Sequence, residues 1–600
     1  MPFYKIKLLK ELPGQGLNKQ MQWPKSHIQD FPRPKWTRPK FQILDGRWDF
    51  RFDDENQGIT SGWCHTWNSD LTIIVPYSYE TKMSGIDIKN PHFICWYHRE
   101  FQVDEHQRVI FHLEKSDYLT MLWINGVLIG QEEGGYHRIS FDITHALHQG
   151  TNTVVIRVED SWDTTQPRGK QRWKKESFGC WYVETTGIYQ SVWLEYVPKI
   201  YIKDLKLTPH NDRYLTDIDL ELSEYANGYR LETIIEFKDE IIVKTQHEIL
   251  HKHTSFSVSM KTNHDQFKLM TWHPDHPHLY DVTFRLYYKE ELMDEVRSYL
   301  GMRQFSTQGR NLFINDEPLY LKMLLDQGYW PDSGLTAPNQ DALLTDLNLT
   351  KEMGYNGIRK HQKIEDERFY YYADILGIIV WLEMPSAYEF SSKLVSRMSI
   401  EWPKILHQHL HYCSIMTYVL FNESWGIPHV KTQRDEQQWT LSMYYLTKAL
   451  DPSRFVISND GWEHTQSDLI TIHNYVEDGH ELYAMYHKIH DVFNDHTHKT
   501  KVRSVFADGF TDHGQPIIFS EYGGVAFQKD SGWGYGAKVE SKEAFKSRLL
   551  GLTKAIKNIP DIQGYCLTQT TDVEQETNGV LTPNREYKLS KEDMLDINEV

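Results

Sequence analysis

Residues 417–426, TYVLFNESWG, carry an apolar and β-branched run that stops abruptly on an amide and a carboxylate. A continuous apolar run is typical of a strand that is buried on both faces of a parallel sheet. Asn422 and Glu423 do not suit the interior of such a strand. In a (β/α)8 barrel, the carboxyl ends of the strands form an open mouth that carries the reactive groups. We therefore predict that Asn422 and Glu423 end the fourth strand of a barrel and lie in its mouth.

Seven further apolar runs accompany this strand in the second half of the chain, and segments of helical period lie between several of them. Such alternation favours βα units and a parallel sheet. Eight strands in about 290 residues are typical of a (β/α)8, or TIM, barrel. The predicted strands are 319–325, 356–359, 378–384, 414–423, 455–460, 469–475, 516–523 and 562–569, and the predicted helices include 339–354, 365–377, 436–451 and 541–558.

The first half of the chain has a different rhythm. Residues 1–40 are rich in Pro, Lys and Arg without periodicity, which predicts an extended N-terminal arm. Short alternating runs separated by Gly, Asn and Asp turns predict a β-sandwich over 41–198, and a similar pattern over 199–303 has the length of an immunoglobulin-like sandwich. The predicted fold is thus multidomain β plus α/β, with the TIM barrel over 304–600.

Composition and charge exclude several classes of partner. The net charge of −18, from 83 acidic and 65 basic residues, would repel a nucleic acid backbone. No run of some 18 apolar residues predicts a membrane span, and the N-terminus lacks a secretory h-region. Five scattered cysteines without a C-x-x-C pair indicate reduced thiols. We therefore expect a cytoplasmic protein without a nucleic acid or membrane partner.

A second glutamate has the same setting as Glu423. Glu521 ends the seventh predicted strand in PIIFSEYGG, where two glycines let the backbone pass closely. Strands four and seven of a barrel lie on opposite sides of the mouth, so the two carboxylates can face each other across a bound sugar. Two carboxylates that flank a glycosidic oxygen are the minimum equipment for glycoside hydrolysis. The pair therefore predicts a glycosidase.

These stretches resemble glycoside hydrolase family 2 over nearly the whole chain. The resemblance is carried by WLEYVP (193–198), WHPDHPHLY (272–280), LFINDEPLYLKM (312–323), NGIRKHQ (356–362), SIMTYVLFNESWG (414–426) and IIFSEYGG (517–524). It implies a jelly-roll-like sugar-binding domain over 41–198 and a carbohydrate substrate. It further implies that Glu423 is the acid/base and Glu521 the nucleophile of a retaining mechanism. Retention requires carboxyl groups roughly 5 to 5.5 Å apart.

The resemblance also implies substrate-binding residues around the two glutamates. Arg359 and Tyr475 match residues beside the nucleophile, and Asn422 matches the residue that holds the sugar 2-hydroxyl. A cation beside Glu521 favours the ionised carboxylate that nucleophilic attack requires. The loop over residues 175–187 of the first domain, which carries Trp181 and Tyr182, is expected to reach the barrel mouth.

The chain departs from the family pattern at two positions. The usual Arg-x-Ser-His-Tyr-Pro reads RKHQK here, so that His361, a candidate substrate ligand, comes one position early. Many members place a sugar-stacking Trp on the eighth strand, whereas GYCLTQTTD has none. The candidates for a replacement aromatic platform are Trp425, Trp330, Trp533 and Tyr535, of which we take Trp425 and Trp533 as predicted site residues.

We expect a retaining exo-β-glycosidase of the β-galactosidase type that needs no metal or cofactor. Family β-glucuronidases bind the sugar carboxylate with an Asn-x-Lys motif, and no Asn in this chain has Lys two positions later. Arg585 or Lys588 could replace that lysine, so a β-glucuronidase is the alternative. A carbohydrate-binding protein without catalysis and a barrel metallohydrolase are the other classes considered. A homo-oligomer is compatible with the sequence.

Overall fold

The computed structural model describes residues 22–69, 71–103, 108–225, 227–261, 268–493, 503–528 and 531–599.

Two stacked antiparallel sheets build the first domain. The strands are β1 (Phe41–Ile43), β2 (Gly46–Phe52), β3 (Leu71–Val75), β4 (Ile94–Val103), β5 (Arg108–Leu113), β6 (Ser116–Asp117), β7 (Leu119–Ile124), β8 (Val127–Glu133), β9 (Ile139–Asp142), β10 (Gly150–Glu159), β11 (Gly187–Ile188) and β12 (Val192–Val197). The sheets have the orders β3-β2-β4-β10-β7-β8 and β1-β12-β5-β9. Their alternating apolar residues meet in one buried core.

A smaller sandwich follows. Its strands are β13 (Ile202–His210), β14 (Leu215–Leu222), β15 (Tyr229–Phe237), β16 (Glu240–Ile249), β17 (His253–Ser259), β18 (Trp272–His273), β19 (His276–Pro277), β20 (Tyr280–Tyr288) and β21 (Glu291–Leu300). A three-stranded sheet, β13-β14-β17, packs on a four-stranded sheet, β16-β15-β20-β21. A short sheet of β22 (Phe305–Gln308), β23 (Asn311–Ile314) and β24 (Glu317–Pro318) then leads into the barrel.

Eight parallel strands form the barrel. They are β25 (Leu321–Asp326), β26 (Gly357–Lys360), β27 (Ile379–Glu383), β28 (Ile415–Val419), β29 (Phe455–Ile457), β30 (Ile470–Asn474), β31 (Ile517–Gly523) and β32 (Ile562–Thr568). Their order, β29-β28-β27-β26-β25-β32-β31-β30, nearly closes on itself. The helices of this part of the chain are α1 (Gln340–Glu352), α2 (Glu367–Leu376), α3 (Ser392–His409), α4 (Arg434–Leu450), α5 (Gly479–Tyr486), α6 (Ile489–Phe493), α7 (Lys542–Asn558) and α8 (Lys591–Glu599).

The structure confirms the predicted fold class, and all eight predicted strands are present. The strand boundaries differ in one place that matters. The fourth strand ends at Val419, not at Glu423, so Asn422 and Glu423 lie on the loop beyond it. The chain nevertheless stays alongside the next strand, because Leu420 N donates to Ile457 O at 3.0 Å and Glu423 N donates to Asp460 O at 3.0 Å. The two residues thus remain at the mouth, as predicted. The domain boundaries stay a prediction.

One buried arginine of the predicted N-terminal arm ties both sandwiches together. Arg38 donates to Glu195 on β12 at 2.6 Å, and it donates to both carboxylate oxygens of Asp294 on β21 at 2.9 and 2.8 Å. All three side chains are less than 5% exposed. Glu195 also pairs with Arg33 at 2.6 Å, so the loss of Arg38 would leave Asp294, rather than Glu195, buried without a cation. Removing one member of a buried ion pair costs more than removing one member of a surface pair.

Within the described residues, no helix is long and apolar enough to cross a membrane. All five cysteines are free, as the sequence predicted, and three of them are buried.

We expect Arg38→Met to destabilise the protein by about 3 to 5 kcal/mol, because Asp294 would remain buried without its cation, while Glu195 keeps its pair with Arg33 at 2.6 Å. Arg297→Met is the matched control: Arg297 pairs with Glu295 at 3.0 Å, but its side chain is 54% exposed. Its loss should cost about 1 kcal/mol or less. Equilibrium urea unfolding of both variants measures the difference, and equal losses would show that Arg38 has no special role.

Candidate active site

A buried guanidinium lies at the centre of the barrel mouth. Arg359, on β26, is fully buried, and its side chain contacts residues from four other strand ends. The partners and distances are Glu383 at 2.8 Å, Glu521 at 2.9 Å, Asp460 at 2.6 Å and Asn422 Oδ1 at 2.7 Å. Because a guanidinium is planar and rigid, these contacts fix the carboxylates relative to one another.

The turn that carries Glu423 is held in an unusual backbone conformation. Glu423 and Ser424 have φ values of 50° and 59°, in the left-handed region that side-chain-bearing residues rarely adopt. Asn459 stabilises this turn, since its Oδ1 accepts from Ser424 N and its Nδ2 donates to Ser424 Oγ, both at 2.9 Å. Strain of this kind persists only where the surroundings fix it, and it occurs most often at functional sites.

Glu521 is held from both sides. One carboxylate oxygen accepts from Arg359, and the other accepts a short hydrogen bond from the hydroxyl of Tyr475. Tyr475 lies directly after β30 and stacks on Tyr535 with ring centroids 3.4 Å apart. Gly524 makes this stack possible, because a Cβ there would lie 2.4 Å from Tyr535 and 3.2 Å from Tyr475.

His473 joins the two glutamates. Its Nδ1 lies 2.8 Å from Glu423 Oε1, while its Nε2 lies 2.6 Å from Asp460 Oδ2 and 3.5 Å from Glu521 Oε1. Burial lowers the pKa of His473, but the charges of Glu521 and Asp460 and the hydrogen bonds to its ring outweigh burial and raise the pKa to about 10. His473 is therefore an imidazolium at neutral pH.

Glu423, His473 and Glu521 each place one side-chain oxygen or nitrogen within 4.8 Å of the others. Such a group could in principle hold a metal ion. An imidazolium, however, has no lone pair for a metal, and both ring nitrogens of His473 already face carboxylates. The short separation between oxygens of Glu423 and Glu521 instead fits the carboxyl spacing of about 5 Å that retaining glycosidases use.

The side-chain amide of Asn422 is only partly hydrogen-bonded. Its Oδ1 accepts from Arg359, whereas its buried Nδ2 has no hydrogen-bond partner among the described residues. A buried amide without a partner is costly unless a ligand supplies one. The Nδ2 atom is thus suited to donate a hydrogen bond to a substrate hydroxyl.

The imidazole of His361 already has partners within the protein, because its Nδ1 lies about 3.2 Å from both Arg359 and Glu383. Its role as a substrate ligand stays a prediction.

The aromatic candidates fall into two groups. Trp425 is half-buried beside Trp181 and Tyr388, and it lines a cavity of 280 Å³ that also includes Glu423. Trp533 is half-buried as well and donates to Gly179 O at 3.0 Å. In contrast, Trp330 is 6% exposed within the barrel core, so it does not offer a face to a ligand.

The loop over residues 175–187 reaches the barrel mouth, as predicted. Val183 N donates to Glu574 at 2.9 Å, the Tyr182 hydroxyl bonds to Glu576, and Trp181 lies 5.7 Å from Trp425. The first domain therefore forms part of the wall of the site.

The sequence analysis missed three residues of this network: Glu383, Asp460 and His473. The signal was available for each of them. Glu383 and Asp460 stand at or just beyond the ends of the third and fifth strands, the same position that identified Glu423 and Glu521. His473 precedes Tyr475 by two residues, a spacing that places both side chains on one face of a strand.

Three models of one family match the chain. "Glycosyl hydrolases family 2, sugar binding domain" matches residues 41–198, "Glycosyl hydrolases family 2" matches 200–303, and "Glycosyl hydrolases family 2, TIM barrel domain" matches 305–547.

Curated relatives carry two kinds of name. A β-galactosidase of Thermoanaerobacter pseudethanolicus is 27% identical over 380 residues, which are 60% of this chain and 48% of that protein. A putative β-glucuronidase of Formosa agariphila is 25% identical over 65% of this chain and 46% of its own length. The chain thus spans about half the length of these two relatives. The β-glucuronidase of Rattus norvegicus is 23% identical over 83% of this chain and 79% of its own length.

Solved structures share the fold. The β-glucuronidase from Ruminococcus gnavus in complex with D-glucuronic acid has a TM-score of 0.76 at 19% identity and covers 96% of this chain and 99% of its own. A β-galacturonidase from Eisenbergiella tayi has a TM-score of 0.72 at 18% identity, with coverage of 94% and 97%. The chain belongs to glycosyl hydrolases family 2.

Proposed function

We propose that this protein is a retaining exo-β-glycosidase that works by double displacement. The observation that carries the proposal is the pair of carboxylates, Glu423 and Glu521, whose oxygens approach within 4.8 Å at the barrel mouth. That separation lets one carboxylate reach the sugar C1 while the other reaches the glycosidic oxygen, without room for a water molecule between nucleophile and sugar.

Glu521 has the environment of a nucleophile. Burial alone would raise the pKa of its carboxyl group, but the charges of His473 and Arg359 and the hydrogen bond from Tyr475 outweigh burial and hold the pKa below its ordinary value. The carboxylate is therefore ionised at neutral pH and fixed in orientation. In the first step it attacks C1, and the bond from C1 to the leaving oxygen breaks.

Glu423 is placed to move the proton. Its side chain is 14% exposed, it lines the open cavity beside Trp425 and Trp462, and only its Oε1 is bonded to His473. As an acid it protonates the departing oxygen; as a base it then takes a proton from the water that releases the sugar from Glu521. Both carboxylates return to their starting states after one turnover.

Two further contacts support a sugar in this position. The unpartnered Asn422 Nδ2 can donate to the sugar 2-hydroxyl, a contact that strengthens in the oxocarbenium-like transition state. The loop over residues 175–187 bounds the mouth from the side of the first domain, which favours a pocket for a terminal sugar over an open groove. The relatives' names leave two glycone classes, a neutral sugar of the β-galactosidase type and a uronic acid.

A carbohydrate-binding protein without catalytic activity is the less favoured hypothesis. Binding alone needs no charge network around Glu521. Arg359, His473 and Tyr475 nevertheless all converge on this carboxylate, which stabilises the ionised state that attack requires.

We expect Glu521→Ala to abolish turnover of nitrophenyl β-glycosides. Glu423→Ala should slow turnover but recover part of it with azide on a substrate with an activated leaving group, because such a group needs little protonation and azide can attack the open glycosyl-enzyme. Glu389→Ala is the control, since Glu389 is an exposed glutamate at the same end of the barrel. Azide rescue at Glu521→Ala that yields the same anomer as the substrate would reverse the two roles.

The stereochemistry of the product tests the mechanism separately. Double displacement inverts C1 twice, so the first product seen by proton NMR should be the β-anomer. An α-anomer as the first product would require a water between Glu521 and C1, and it would show a single displacement.

The charge on His473 should be visible in the pH dependence of stability. The folded protein holds this proton up to a pH of about 10, whereas the unfolded chain releases it near the ordinary value of 6.5. Folding therefore binds a proton between these values, and stability falls as pH rises through this window. We expect Tm to fall less steeply between pH 6.5 and 10 for His473→Gln than for the wild type.

His464→Gln is the control for this measurement. His464 is also fully buried, but burial lowers its pKa to about 4, so its titration lies below the window. That variant should keep the wild-type slope. Parallel curves for the wild type and His473→Gln would show that His473 is neutral in the folded protein.

A further inference from the structure

A lysine from the first domain lies at the barrel mouth. Lys170 belongs to the segment between β10 and β11, and its side chain is 6% exposed. Its ammonium lies 4.9 Å from the ring centre of Trp425, two residues after Glu423. Tyr182 N donates to Lys170 O at 2.8 Å, which fixes this segment against the loop that bounds the site.

Lys170 differs from the other buried lysines of the mouth in its partners. Lys360 pairs with Asp326 at 2.5 Å, and Lys363 pairs with Glu365 at 2.7 Å. Over the described part of the chain, no carboxylate lies within ion-pair distance of Lys170. A buried ammonium without a counter-ion is costly, because the Trp425 ring and the hydrogen bond with Cys180 replace only part of its lost hydration.

The two cations that the sequence suggested for a sugar carboxylate already have partners. Arg585 donates to both oxygens of Asp346 at 2.9 Å, and Lys588 pairs with Asp572 at 2.6 Å. Either residue would have to give up a buried ion pair to bind a substrate. Lys170 would not.

We propose that Lys170 binds the carboxylate of a uronic sugar in the glycone site. The inference rests on the proposed glycosidase function and departs from the sequence-based expectation of a neutral sugar. An ammonium replaces the hydration that a carboxylate loses in the pocket, and the charge-assisted hydrogen bond fixes the sugar's orientation.

The charged groups around Lys170 indicate that its ammonium lies on the side of the site where the terminal sugar would bind. Besides Cys180, the groups whose charge raises the pKa of Lys170 against the effect of burial are Glu576 and the nucleophile Glu521. Arg503 instead lines the cavity that opens beside Glu423, together with Trp462. A uronic carboxylate near Glu423, Glu521 and Glu576 would be repelled unless a further cation faced it, because Arg359 and His473 already pair with the acids of the site. Lys170 supplies that further cation.

The test compares sugars that differ only at C6. We expect wild-type kcat/KM to be higher for nitrophenyl β-glucuronide than for the β-glucoside, or for the β-galacturonide than for the β-galactoside. Lys170→Gln should lower kcat/KM for the preferred uronide on the order of 100-fold, while the neutral partner changes by about threefold or less. Lys174→Gln is the matched control, because Lys174 makes the same charge change on the same segment but is exposed.

Inhibition of the wild type gives a second measurement that needs no variant. The free uronic acid of the preferred pair should inhibit at lower concentration than the neutral sugar. Equal inhibition, a preference for the neutral glycosides, or equal loss on both substrates in Lys170→Gln would overturn the role of Lys170 and leave the glycosidase intact. No hydrolysis of any β-glycoside by the wild type would instead overturn the proposed function, and this inference with it.

Discussion

The site depends on one buried guanidinium. Arg359 brings four strand ends together because its planar group can accept only a few arrangements of oxygen around it. A fully buried cation would be prohibitive alone, and the carboxylates around it would be equally so. Each compensates the burial of the other, and the contact with Arg359 holds the Glu521 carboxylate in place. The same contact that satisfies burial therefore sets the geometry for chemistry.

His473 extends this network to the other glutamate. Arg359 and His473 supply two positive charges to three buried acids, Glu383, Asp460 and Glu521, and to the partly exposed Glu423. The arrangement keeps Glu521 anionic through fixed charges, while Glu423 has one oxygen outside the network and faces the open cavity. Two identical side chains thus receive different environments, which is how one site can hold both a nucleophile and a proton donor.

The sequence predicted most of the fold and the central pair because both follow local rules. Apolar runs gave eight strands, and polar residues at their ends gave Asn422, Glu423 and Glu521. It could not give the end of the fourth strand, since the left-handed turn at Glu423 depends on Asn459 in the neighbouring loop. The turn is stabilised by a tertiary contact, and the local sequence pattern does not predict tertiary contacts.

The residues that recognise the glycone are also difficult to predict from the sequence, because they depend on contacts between distant parts of the chain. Cations late in the barrel were the candidates for binding a sugar carboxylate, because the β-glucuronidases of the family place their Asn-x-Lys motif there. In the folded chain Arg585 and Lys588 each meet an acid, whereas Lys170 reaches the mouth from another domain. Which cation is available is decided by which acids are already paired, and that is a property of the complete packing. Specificity in this architecture can therefore change in the first domain without any change in the carboxylate pair.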